Sequence, residues 1–389
     1  MAKSNNKNAK NKQRLEKAVL AYVENQNKHV NRLYRTHIPA VNKLFREVGK
    51  DIIDDFINEY GDRYTLEEIF KFGDNGFSYR TNQRLRIFQQ QLIAFLFAAI
   101  RKEWNIANTN TDSLVRAVFP DISKDKISQY YLHNEKALTA FLNRNLSSDK
   151  SRTISGRVWK ITNQFKRDIE DTIAIGIQNG DSGAVLAKRL NKYLQKPSQK
   201  NIDIEKLTNK KVRSELEQRQ NNKPEGQGVY NSSYKNARRL AANETNLAYR
   251  NAEAERIKQL DFVVGFEIKV SNSHADWLRT VWIPKHGSKP EICDVLAGKY
   301  PKEFIWNSWH VQCKCFRILI LKTWEEIQED NIRILRSEEV SKNSVNSVKT
   351  MPKSFDRWVG ENSEKVKKSN SKPYFWEDNK GIIDKTTKR

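Results

Sequence analysis

The sequence predicts an α+β protein: a mostly helical N-terminal region followed by a small C-terminal antiparallel sheet module that carries a Cys/His cluster. Three observations predict it. Apolar residues recur three and four apart over most of the first 180 residues, the spacing of an amphipathic helix. Between about 262 and 321 the pattern switches to short alternating segments, the spacing of strands. All three cysteines lie between 293 and 315, with His310 among them.

The chain has 389 residues, enough for two or three domains. Hydrophobic residues make up 38% and charged residues 30%, with a mean hydropathy of −0.79, which points to an extended, helix-rich protein with solvated segments. The formal net charge is +23 and the sequence pI about 9.7, so polyanions, nucleic acid first among them, are the expected partners. There is no apolar run of about 18 residues, so no membrane span is expected. The basic N-terminus lacks the apolar stretch of a secretory signal. Three cysteines make no disulfide framework and fit a reducing compartment.

Residues 1–14 hold five Lys or Arg and no acid, and read as a disordered basic arm. A helical region is predicted over 15–180. Within it Val158, Ile161, Phe165, Ile169 and Ile173 form one stripe that Asn179-Gly180 ends, a helix stop. The span 181–260 reads as helices with a polar loop near 195–228; Asp181 or Ser182 can cap a helix over 184–194. A long helix follows from about 229 to 260. The small α+β module spans 261–325, with strand-like alternation in VVGFEIKV, in parts of RTVWI and in CFRILIL. Residues 326–389 hold a short helix and a polar tail with two aromatic segments, Phe355–Trp358 and Tyr374–Trp376. These are expected either to dock on a body, this protein's or a partner's, or to close the domain's own core.

The chemistry concentrates in the module. Thiolate and imidazole suit Zn²⁺, which takes four such ligands tetrahedrally. The candidates are Cys293, His310, Cys313 and Cys315, with His286 as an alternative fourth. Cys313 and Cys315 are two apart at the start of a strand, so both sulfurs share the face opposite Phe316 and Ile318. His310 lies three residues earlier and can fold back across a turn, while Gly298 permits a sharp turn after Cys293. The spacing C-x19-C-x-C with H-x2-C inside is not the paired C-x2-C of the strongest zinc signatures, and a reduced, buried set of cysteines is the competing reading. If an ion is held, a Cys-rich set is a structural staple rather than a catalytic site.

Glu244 is a second candidate. Its neighbours three and four residues away, Leu240, Ala241, Leu247 and Ala248, are all apolar, so a carboxylate there needs a tertiary donor. The expectation is that it ties the long helix to the small module by accepting from a backbone N–H, an arginine, Trp282 or Trp309; the competing reading is a solvent-exposed helix edge.

The segment DVLAGKYPKEFIWNSWHVQCKC, with Cys293, Gly298, His310, Cys313 and Cys315, resembles the C-terminal signature of phage Mu F-like minor head proteins, or head-morphogenesis proteins. The helix carrying Ala241, Glu244 and Asn246 resembles that family's Ala-Arg-Thr-Glu-Thr-Asn motif. The likeness covers roughly 229–325. The sequence differs where the family has Pro after the histidine (Val311), Arg between the last two cysteines (Lys314), Arg-Thr in the helix (Ala242-Asn243), and in many members a further Cys three before the first (Pro290). The resemblance implies a minor capsid protein made in the host cytoplasm and carried in the virion head. Its implied partners are portal, capsid or scaffold proteins and packaged DNA. It implies a structural role for Glu244, Asn246 and Gly298, and no enzymatic activity. Two alternatives stand beside it. One is a metal-dependent nuclease or toxin-like enzyme drawing a base and ligands from His274, Asp276, His286 and Asp294. The other is a basic nucleic-acid-binding protein. No Walker A loop, nucleophile elbow or HExxH occurs in the chain.

Overall fold

The computed structural model describes residues 2–63, 75–144, 153–195, 213–214, 230, 232–369 and 372–387. Most of them are helical. In chain order the main helices are α1 (Ala2–Arg32), α2 (Ile38–Tyr60), α3 (Gly76–Val118), α4 (Glu135–Asn143), α5 (Ile154–Gln178), α6 (Gly183–Gln195) and α7 (Ser233–Gln259). A mixed segment follows, with β1 (Val263–Lys269), α8 (Asn272–Trp277), α9 (Ile283–His286), α10 (Ile292–Val295), β2 (Gly298–Tyr300) and β3 (Phe316–Leu321). The chain ends in α11 (Trp324–Leu335), α12 (Lys353–Lys367), α13 (Tyr374–Asp378) and α14 (Lys380–Thr387). Among the described residues no helix is long and apolar enough to cross a membrane.

The chain divides into two compact units. One comprises residues 33–99 and 142–244, the other residues 1–32, 100–141 and 245–389. Among its described residues the regular elements of the first are all helices. Its core is aromatic: Phe45 meets Phe88 edge-on at 4.8 Å between centroids, with Phe165 at 5.0 Å and Tyr234 at 5.3 Å. The predicted stripe on α5 is its buried face, since Val158, Ile161, Phe165, Ile169 and Ile173 are all buried. Thr153 caps that helix by accepting the Gly156 N–H at 3.0 Å. Most of the polar loop expected near 195–228 lies outside the described residues.

Glu244 belongs to this unit, and its partners differ from those expected. It is fully buried, and its carboxylate accepts from the guanidinium groups of Arg144 and Arg157, the latter at 2.7 Å. The donors are arginines, but they belong to the helical region; Trp282 and Trp309 take no part. Burial pushes the carboxyl pKa up, yet the charges of Arg157 and Arg144 outweigh it and hold it below the usual range. Local spacing shows that a donor is needed; it cannot show which distant segment supplies it.

In the second unit the three strands form an antiparallel sheet in the order β2-β1-β3, with Phe266 opposite both Tyr300 and Leu319. Strand β3 buries Arg317 and Leu319, while Phe316, Ile318 and Ile320 are only half-buried. The buried face therefore carries a charge. Arg317 donates to Glu253 at 3.1 Å and to the Trp306 carbonyl, and Glu253 also accepts from Tyr22 and Gln26.

Two expectations about this unit are corrected, and one pair of alternatives is decided. Residues 2–14 are not a disordered arm but the first turns of α1; Lys7 and Asn11, one turn apart, reach Asp121 at 3.0 and 3.1 Å. RTVWI is not strand-like: Leu278–Trp282 is a π-helical turn running into α9, where Pro284 takes the first turn, a place proline favours and a strand interior forbids. Of the two alternatives for the aromatic tail segments, the buried rings match closure of the domain's own core. Phe355 and Phe375 are fully buried, and they pack with Tyr300, Phe304 and Trp309 into this unit's own core.

Candidate metal centre

The thiols and His310 are brought together from three short segments. Glu291 caps α10 by accepting the Cys293 N–H at 2.8 Å, which fixes Cys293 at the helix start. Gly298 follows with φ of +152°, a conformation that suits glycine, and a Cβ there would press to 3.1 Å from Pro352. The turn at 310–313 then closes with the Cys313 N–H donating to the His310 carbonyl at 3.2 Å. Gln312 takes a left-handed φ of 63° there.

Cys293 Sγ lies 3.0 Å from His310 Nε2 and 3.6 Å from Cys313 Sγ, and all three ligand atoms fall within 4.8 Å of one another. Zinc bond lengths of about 2.3 Å to sulfur and about 2.0 Å to nitrogen put tetrahedral ligand atoms about 3.5–3.8 Å apart, so Cys293 and His310 need to part by about half an ångström, and Cys293 and Cys313 by less, to admit an ion. The Cys315 thiol interacts with those of Cys293 and Cys313 and is buried with them, but it stands outside the tight group of three. His286 is elsewhere: it is exposed, with its ring 4.1 Å from that of Trp282.

Among the candidate ligands, Cys313 is the one held in the ligating, thiolate form. Burial opposes ionisation of Cys313, but hydrogen bonds from Cys293 and Cys315 and the nearby Arg250 and His310 pull its pKa well below the usual thiol range. Burial pushes the Cys293 thiol up. Cys315 is also raised; the Cys293 hydrogen bond pulls its thiol down, but the neighbouring Cys313 and burial outweigh it. Burial disfavours charge on His310 too, yet the hydrogen bond to Glu291 and the Cys313 charge lift its pKa to about 9. His310 Nδ1 faces the Val311 carbonyl at 2.8 Å; donating there frees Nε2 as the ligand atom, the tautomer control usual at metal-bound histidines.

A second group adjoins the first. His274, Glu291 and Cys293 also place their ligand atoms within 4.8 Å of one another. Ser271 caps α8, accepting the His274 N–H at 3.3 Å, and this sets His274 Nε2 at 3.2 Å from Asp294 Oδ1 and 3.9 Å from Glu291 Oε2. Of the residues weighed for an enzymatic site, His274 and Asp294 thus meet. Asp276 instead pairs with exposed Arg279 on the surface. The expectation that the chain has no catalytic capacity is overturned by these two groups: buried imidazole, thiol and carboxylate ligands within reach of an ion are the equipment of metal-dependent chemistry.

The long helix α7 holds this centre in place through residues one turn apart. Asn246 Nδ2 donates to the Cys313 carbonyl at 3.0 Å, and its Oδ1 meets His29 Nε2 at 3.1 Å. Arg250 donates to the carbonyls of Asn307 and Cys313, both at 3.1 Å, and of Cys315, and it stacks over Trp306 at 4.6 Å. Gly298 and Asn246 thus sit at or beside the thiol segment. Sequence reasoning missed Arg250, Glu253 and Glu291. A signal for the first two is present: Asn246, Arg250 and Glu253 fall four and three apart, a polar line on a helix otherwise lined with alanine. Asn246→Leu should lower stability by about 1–3 kcal/mol, because buried His29 Nε2 loses its partner; a thermal melt unchanged within about 1 °C would refute this.

Neither family models, nor curated proteins, nor solved structures contain a match to this chain.

Proposed function

We propose that this chain is a metal-binding protein that works on or beside nucleic acid, with its ion held by Cys293, His310, Cys313 and Cys315. The carrying observation is the convergence of two thiols and an imidazole within 4.8 Å, with a third thiol against them. The net charge of +23 supports the polyanionic partner. A bound ion would link α10 to the turn before β3, a structural cross-link in a sheet of three strands.

Two settings fit this chemistry. The ligand geometry speaks more directly for a metal-dependent nuclease or toxin-like enzyme: His274, oriented by Asp294 and close to Glu291, is the group for proton transfer or for holding a catalytic ion. Phage head morphogenesis is the other setting, with portal, capsid or scaffold subunits as partners and the virion head as its location. It rests on the resemblance, and one observation favours it: the two segments carrying that resemblance are bonded to each other through Asn246 and Arg250.

The test has two arms. The purified chain, freed of adventitious metal and reloaded, is incubated with plasmid DNA and Mg²⁺, Mn²⁺ or Zn²⁺; cleavage reduced at least tenfold by His274→Ala establishes the enzyme. A pull-down from phage-infected cells that recovers portal and capsid subunits establishes the assembly role. Recovery of host nucleic acid alone, with no cleavage, would leave a nucleic-acid-binding protein and overturn both. A chain that retains no metal would overturn the common premise.

A further inference from the structure

We infer that the centre is built for two metal ions, with Glu291, His274 and Asp294 as the protein ligands of a second ion beside the thiol site. The inference rests on the metal-binding reading above and extends it to a site with its own ligands.

Glu291 faces two ways. Its Oε1 lies 3.1 Å from His310 Nε2, and its Oε2 lies 3.9 Å from His274 Nε2 while accepting the Cys293 N–H. Glu291 is buried, so each oxygen needs a positive or donating neighbour. Oε1 thus faces the thiol site through His310. Oε2 points the other way, toward His274.

On that side the donor set changes character. His274 and Glu291 are buried and share their group with the single thiol of Cys293, and Asp294 Oδ1 stands 3.2 Å from His274 Nε2, so imidazole and carboxylate replace the thiolate excess of the first site. Imidazole and carboxylate together suit first-row divalent ions such as Zn²⁺ or Mn²⁺. Cys293 belongs to both groups of ligand atoms, so the two ligand sets share a wall. Exposure differs as well. The side chain of Asp294 is 31% exposed, against 3% for His274 and 6% for Glu291, which gives the second ion an entry path and leaves a coordination position open to solvent. The first site is closed by its sulfurs; the second has the open position that a substrate phosphate or a water needs.

Metal counting by mass spectrometry on the full chain, loaded with Zn²⁺ and dialysed, tests this. Wild type should retain two equivalents per chain, and His274→Ala and Asp294→Asn one each. With Co²⁺ as the probe, the thiolate-to-metal absorption band should persist in those variants and vanish in Cys313→Ser. Circular dichroism checks folding, and the conservative change at part-exposed Asp294 keeps the test open if His274→Ala does not fold. One equivalent in wild type, unchanged in both variants, would overturn the second site while the thiol site stands. No retained metal in wild type would overturn the metal-binding reading itself.

Discussion

Replacing Phe375 with alanine is expected to destabilise the C-terminal unit by about 3–5 kcal/mol, the range for deleting a buried phenylalanine. Phe375 is fully buried at the meeting point of Trp309, Phe355 and Trp358, with ring centroids 5.0, 5.9 and 5.8 Å away. These rings lie on two separate segments, Trp309 before the thiol turn and Phe355 and Trp358 on α12, so collapse around the cavity would have to move both. The effect should reach the metal centre, because Trp309 precedes His310 and the three thiols belong to the same buried cluster. Cys293, Cys313 and Cys315 are at most 1% exposed, so they should react slowly with a thiol reagent in the native chain and at least tenfold faster in the variant. Equal labelling rates, with an unchanged thermal transition, would mean that the tail is not part of this core.

The second large effect concerns Glu244. Glu244→Ala removes a buried anion and leaves two guanidinium groups facing each other without it, for which about 3 kcal/mol is the expected loss. The figure sits at the low end for buried pairs because Arg144 and Arg157 keep 18% and 22% of their side-chain surface in contact with solvent. The thermal transition of the helical unit should fall by roughly 6–12 °C. The same pair sets an acid limit. The folded carboxyl titrates below its unfolded value of about 4.3, so its contribution is fully present above that value and is lost as pH falls through the lower folded one. Wild type should therefore lose stability on acidification below about pH 4, and Glu244→Gln, weaker at neutral pH, should lack that component. Parallel stability curves for the two proteins across this window would refute the pairing.

These two residues also mark the limits of local information. The helical stripe of α5 was legible because every 3.6-residue turn repeats the same instruction, and burial follows it residue by residue. The strands β1 and β3 were legible by alternation, but RTVWI imitates that alternation over five residues, too few to outweigh Pro284 and the capped helix before it. Residues 2–14 were misread because a basic, acid-free segment gives no local reason to order, and the carboxylate that pairs with Lys7 and Asn11 lies more than a hundred residues away at Asp121. For the centre, the residue types and the clustering of the cysteines pointed to the right segment. The contribution of Glu291 did not, because a single glutamate before a short helix looks like an ordinary cap until its other oxygen is seen facing His310.

By itself, then, the sequence determined the helical content, the small antiparallel sheet, the basic surface and the neighbourhood in which thiols and imidazole would meet, since periodicity, charge and residue chemistry are local properties. Only the tertiary structure decided which partners satisfy the buried charges. It seated Glu244 on Arg144 and Arg157, folded the aromatic tail into the core, and set His274, Asp294 and Glu291 beside the thiols. Each of those outcomes depends on bringing together groups far apart in the chain, where burial makes an unpaired charge or an unfilled cavity costly and so selects one arrangement.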